Sequence, residues 1–252
     1  RANVTKAGSL VFVEDVAFDL SEHGTANSYI VTEPGLYSIK ADVIGNGGYG
    51  IIDGANFHTE DPYIVPKSAK LIWEDRAGVV TNVTPCENTV NFLANGQEGN
   101  ALIGVTDDNG AILWSWHIWV TDQPQELTYI NGEEQYVMLD RNVGAVRSDR
   151  GEGDEWKDAV GLMYQWGRKD PFTFRYVNGQ IYDYDNSRLY TTSSDVVPIS
   201  KSITDPTVFY GSGYYYWNET GNKSLWSSRQ KTIYDPCPVG YIMPHRDVWR
   251  TF

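Results

Sequence analysis

The chain is expected to be mainly β, opening with a β-sandwich of Ig-like or transthyretin-like arrangement, and three features predict this. Nine Trp and 17 Tyr accompany 24 Gly but only three Met in 252 residues, a composition that suits twisted sheets and turn-rich loops better than helical bundles. Short apolar-alternating runs follow one another through the first 123 residues. Two of these runs flank Asp107-Asp108-Asn109-Gly110, a tight-turn sequence in which Asn109-Gly110 is expected to supply positive φ angles.

In chain order the expected strands are Leu10 to Val13, Ser28 to Thr32, Tyr37 to Ile44, Lys70 to Trp73, Val79 to Val83 and Thr89 to Leu93, then a hairpin of Ala101 to Thr106 and Ala111 to Val120. Along the last strand Ile112, Trp114, Trp116, Ile118 and Val120 share one face, which reads as core. Leu113, Ser115, His117 and Trp119 share the other, because side chains alternate along a strand. Two indoles on one face predict a deep sandwich interior, and Trp119 is placed to cover the junction with the next domain.

The polar, proline-containing stretch from Asp122 to Glu126 reads as a linker, so the expected domains are 1–123 and 124–252. The second begins with a strand at Tyr136 to Leu139. Glu152 to Asp158 reads as an acidic loop, and Val160 to Trp166 as a packed helix or extended segment. A long connection then runs from Phe172 to about Thr232, with aromatic clusters at Tyr176 to Tyr190 and Phe209 to Trp217. Connections this long usually serve a function. At the end, Asp247 suits the start of a helix, with Val248, Trp249 and Phe252 on one side. That side is expected to need cover from polypeptide beyond residue 252.

A formal charge of −13 and a pI near 4.6 argue against nucleic acid or an anionic membrane as partner, since both are bound through clustered Lys and Arg. No apolar run approaches the length of about 20 residues that crosses a bilayer. Cys86 and Cys237 lie 151 positions apart; spacing leaves a bridge between them open, and Cys86 otherwise reads as a small buried hydrophobe.

Three runs, GAILWSWHIWVTD at 110–122, QYVMLDRNVGA at 135–145 and GLMYQWGRKDPF at 161–172, together with YDPCPVGYIMPHRDVWRTF at 234–252, resemble surface and fimbria-associated proteins of gut Bacteroidales. These join a β-sandwich to a C-terminal domain of the FISUMP (major-paralogue) type. The resemblance covers the chain from about Asp19 onward. It implies an α+β, C-type-lectin-like second domain that is C-terminally incomplete here, an extracellular, cell-surface location, and adhesion, at the tip of a fimbria or elsewhere in it, to a glycan or a host or bacterial protein. It also implies that Cys237 pairs with a cysteine in a strand beyond Phe252. Ser28, where many relatives carry cysteine, and His245, in place of Ser or Thr, depart from the family pattern.

The aromatic run Tyr214, Tyr215, Tyr216 and Trp217 is the candidate ligand-binding surface, because flat rings stack on pyranose C–H faces; the competing reading is that these rings fill a core. Asp183 and Asp185 are candidate oxygen ligands for a structural calcium ion, with turn chemistry and solvated loops explaining the carboxylates near Asp107 and between Asp149 and Asp158. No other cofactor is expected. His23, His58, His117 and His245 are scattered, without an HExxH, GxSxG or CxxC pattern, so the expectation is a binding protein and not an enzyme. Related formylglycine-generating enzymes use a reactive cysteine pair, which Cys237 alone does not reproduce. Arg168 is expected to be structural, paired with Asp140 and Arg141. The alternative function is a carbohydrate-binding accessory of a polysaccharide-processing enzyme.

Overall fold

A computed structural model describes residues 2–4, 10–12, 16–47, 62–153, 155–173, 176–177, 180–181, 189–211, 216–219, 221 and 224–250. The chain is mainly β. In order it forms β1 (Ala2–Val4), β2 (Leu10–Phe12), β3 (Phe18–Asp19), β4 (Ser28–Val31), β5 (Gly35–Lys40), β6 (Ser68–Glu74), β7 (Val80–Cys86), β8 (Thr89–Ala94), β9 (Gly99–Thr106) and β10 (Ile112–Val120). After these come β11 (Glu126–Asn131), β12 (Glu134–Leu139), β13 (Tyr176–Val177), β14 (Gln180–Ile181), β15 (Thr191–Thr192), the helix α1 (Ile199–Thr204) and β16 (Val208–Phe209).

Two four-stranded sheets, ordered β4-β10-β9-β6 and β3-β5-β8-β7, enclose a core in which Ile39, Phe92, Ile103, Trp116 and Ile118 are fully buried. The strict alternation of β8, with Val90, Phe92 and Ala94 inward, is the pattern of a sheet with one dry face. At the predicted hairpin the Asp107 carboxylate accepts the N–H groups of Asn109 and Ala111, both at 2.9 Å. Only Gly110, at φ 82°, takes the left-handed conformation there, so the aspartate does part of what the Asn-Gly pair was expected to do.

The sheet containing β10 is covered on both sides, and every residue from Trp114 to Val120 is buried. Register places Asn100 opposite Trp119, Leu102 opposite His117 and Gly104 opposite Ser115. This is the outer face of the sandwich, and residues after 140 seal it. β4 adds to the same sheet parallel to β10, with Ser28 opposite His117. The buried apolar cluster therefore runs from Tyr29 and Trp116 into Ile199, Trp217, Leu225 and Tyr234. Contact is close at Gly45, where φ is 51° and an added Cβ would lie 2.3 Å from the Ile233 carbonyl; only glycine lets the two backbones meet.

Several expectations are corrected. Cys86, at the end of β7 beside its turn, is exposed, and both cysteines are free thiols. Of the packed helix or extended segment expected over 160–166 no helix forms; Gly161 takes φ 81° and Met163 bridges Phe172, while Trp166 is exposed and not packed inward. The connection after Phe172 carries α1 and the parallel pair β15–β16. Val248, in a 3-10 turn over Arg246–Arg250, is 1% exposed and is already covered by described residues; the Trp249 side chain and Phe252 lie outside them.

Candidate functional site

Of the candidate aromatic run, Tyr214 and Tyr215 lie outside the described residues, as do Asp183 and Asp185. Tyr216 is 44% exposed and Trp217 only 5%. Trp217 is a core ring: its indole N–H donates to the Trp166 carbonyl at 2.7 Å, and the Arg168 guanidinium stands 5.7 Å from its centroid. This corrects the expectation that it contacts ligand, since a buried ring has no face to offer. Trp166, which spacing did not single out as a ligand contact, is 56% exposed and packs at 5.0 Å against Trp226. The indole hydrogen bond ties the solvent-facing Trp166 to Trp217, and the exposed Tyr216 is the residue before that anchor in the chain.

Arg168 supports that anchor. Its fork donates to the Gln165 side chain at 3.1 Å and to the carbonyls of Ser202 and Val208 at 3.1 and 2.5 Å. Burial pulls its pKa down to about 10. Asp140 and Arg141 do not supply its partners as expected; they pair with each other at 2.8 Å, and Arg141 also pairs with Asp122. The hydrogen bond from Arg141 holds the Asp140 carboxyl below its usual range.

Two polar clusters lie under the outer face of the sandwich. In one, His117 Nδ1 is 2.9 Å from the Ser28 hydroxyl and Nε2 is 2.9 Å from Asn100 Oδ1. Asn100 donates its amide to Asp75 at 2.7 Å and to the Gly144 carbonyl at 2.9 Å. Burial pushes the Asp75 pKa up to about 6 and His117 down to about 3. A hydrolase triad sets its serine on Nε2 and its orienting residue on Nδ1, whereas here Ser28 is on Nδ1 and Asn100 on Nε2. Here Ser28 and His117 are 0% and 1% exposed, so no substrate reaches the hydroxyl and the chain of contacts joins strands instead. In the other cluster, Lys169 Nζ lies 2.6 Å from Asp170 and donates to the Ser115 carbonyl at 3.2 Å, while the Ser115 hydroxyl donates to Asp170 at 2.6 Å.

A cleft of about 650 Å³ opens between β12 and the segment 236–245. Its second wall is braced by the buried Asp235 and the partly buried Lys231. Asp235 accepts the N–H groups of Cys237 and Met243 at 2.8 and 3.0 Å, and Lys231 donates to the carbonyls of Cys237 and Tyr241, both at 2.7 Å. The Cys237 thiol is pushed far up by burial, and by Asp235 after it, so it is not a nucleophile near neutral pH. The Tyr164 hydroxyl, in the same wall, is buried without a hydrogen-bond partner among the described residues.

No group of three or more His, Cys, Asp or Glu among the described residues is arranged to hold a metal ion. The carboxylates of the acidic loop face arginines, Asp149 on Arg147 and Asp158 on Arg76. No helix among the described residues is long and apolar enough to cross a membrane. Compared with models of known families, with characterised proteins and with solved structures, the chain matches none.

Proposed function

We propose that this chain is a cell-surface adhesion module that binds a glycan through Trp166 and Tyr216. The observation that carries the reading is the exposure of these two large aromatics, 56% and 44%, one bonded through its carbonyl to the buried Trp217 and the other its neighbour in the chain. An aromatic ring held rigidly at the surface loses little entropy on binding and offers a flat apolar face to the C–H side of a sugar. A net charge of −13 favours neutral glycans over sulfated or sialylated ones. The resemblance to Bacteroidales surface and fimbrial proteins supports an extracellular setting for such a module.

The test is a glycan array probed with the wild-type chain, Trp166→Ala and Tyr216→Ala. Binding to neutral glycans, reduced at least tenfold in either variant with the fold intact by circular dichroism, is the expected result. Equal binding by all three, or no binding to any glycan, removes the sugar-recognition reading. Cleavage of a bound glycan would replace adhesion with an enzymatic role.

A further inference from the structure

We infer that the cleft beside β12 is a docking groove for an extended, apolar, basic-ended strand of another polypeptide, which adds to the free edge of the β11–β12 hairpin. The two strands pair only with each other among the described residues. In such a ribbon each strand turns alternate N–H and C=O groups away from its partner. Gln135 to Leu139, five consecutive residues of β12, line the cleft, so the free edge forms its wall along nearly the whole strand. A compact ligand has no need of that edge, and an extended chain does.

The opposite wall is apolar, with Leu162, Ile242 and Met243, and Ile130 and Val137 are 69% and 50% exposed on the hairpin itself.

Charge decides between a second copy and a different partner. Antiparallel self-pairing centred on Val137 would put Glu134 of each copy opposite Asp140 of the other, between chains that each carry a charge of −13. A guest lying antiparallel to β12 brings its C-terminal end to the turn, where Glu133 and Glu134 are exposed. Lysine or arginine there is complementary.

The probe is a ten-residue peptide of alternating valine and threonine with two lysines at its C-terminus. It is compared with a version carrying the lysines at the N-terminus and one with a central proline, against wild type and Val137→Lys. Binding is read by fluorescence anisotropy, and the edge by hydrogen exchange at Gln135, Val137 and Leu139. The expected result is saturable binding that slows exchange at these amides and weakens at least tenfold with proline or with Val137→Lys, and severalfold with N-terminal lysines. Val137 is half exposed, so its variant keeps the fold. No binding at millimolar peptide overturns the proposal, as does binding that leaves the three amides unprotected. Sedimentation showing a dimer with those amides already protected also overturns it, because a second copy then fills the groove. None of these readings depends on Trp166 or Tyr216.

Discussion

His117 Nε2 lies 2.9 Å from Asn100 Oδ1, and this contact fixes the tautomer of the buried imidazole. Because the Asn100 amide nitrogen already donates to Asp75 and Gly144, its oxygen is left to accept, so the imidazole carries its proton on Nε2 and Nδ1 accepts the Ser28 hydroxyl. Every member is satisfied without a charge on the ring. One strand from each side of β10, and the loop at Gly144, are thereby held in a single network.

The network contains two groups whose effects on stability against pH have opposite sign. Asp75 titrates near 6 when folded against 3.8 ordinarily, so between these values the folded state keeps a proton that the unfolded state has lost. Its stabilising effect is full at low pH and declines as pH rises through that window. His117 titrates near 3 against 6.5; the unfolded ring takes up a proton that the folded ring refuses, and stability declines as pH falls. Between about pH 4 and 6 the two nearly cancel, each worth about 1.4 kcal/mol per pH unit. Relative to wild type, Asp75→Asn is expected to lose about 2 kcal/mol more on going from pH 6 to 4, and His117→Gln about 2.5 kcal/mol less. Urea unfolding at pH 4, 5 and 6 checks this; parallel curves for the two variants would refute the assignment.

The hairpin over β9 and β10 was legible because its signal is local: a turn sequence between two alternating runs needs nothing distant to form. The parallel pairing of β4 with β10 was not, since Ser28 and His117 are 89 positions apart and nothing in either run names the other. Cys86 was misplaced for a related reason. A cysteine reads as a hydrophobe, but its exposure depends on its place in the edge strand β7, opposite Thr89 at the last pair before the turn. Trp166 reads as packed from apolar spacing, in a helix or an extended segment alike, yet it falls on a turn with Gly167 at φ 86° that leaves its ring exposed. The buried Lys169–Asp170 pair gave no signal, because adjacent opposite charges ordinarily mark a solvated loop.

That pair is expected to behave as a unit. Lys169 and Asp170 are 2% and 3% exposed, and the ammonium also lies 4.5 Å from the Trp114 ring. Lys169→Met leaves a buried carboxylate without its counter-charge and is expected to cost about 3–5 kcal/mol. Lys169→Met with Asp170→Leu removes both charges and should recover most of that loss. Guanidinium unfolding of the single and double variants at pH 7 measures the coupling, and additive losses would show that the two charges act independently.

Arg168 links stability to the aromatic surface. Its guanidinium collects the carbonyls of Ser202, at α1, and of Val208, in β16, and its Cζ stands 5.0 Å from the Phe172 centroid and 5.7 Å from that of Trp217. Lysine keeps the charge but not the planar fork, so Arg168→Lys strands carbonyls that have no water to turn to. A loss of about 2–4 kcal/mol is expected for Arg168→Lys and at least as much for Arg168→Ala. Because Trp217 stacks beside this fork and bonds the Trp166 carbonyl, the loosening should spread to that indole. Faster hydrogen exchange over 199–209 and a weaker response of Trp166 to neutral glycans should accompany the lowered Tm. If Arg168→Lys melts at the wild-type temperature with exchange unchanged, the carbonyls of α1 and β16 are held by other groups, and Arg168 is not what positions Trp217.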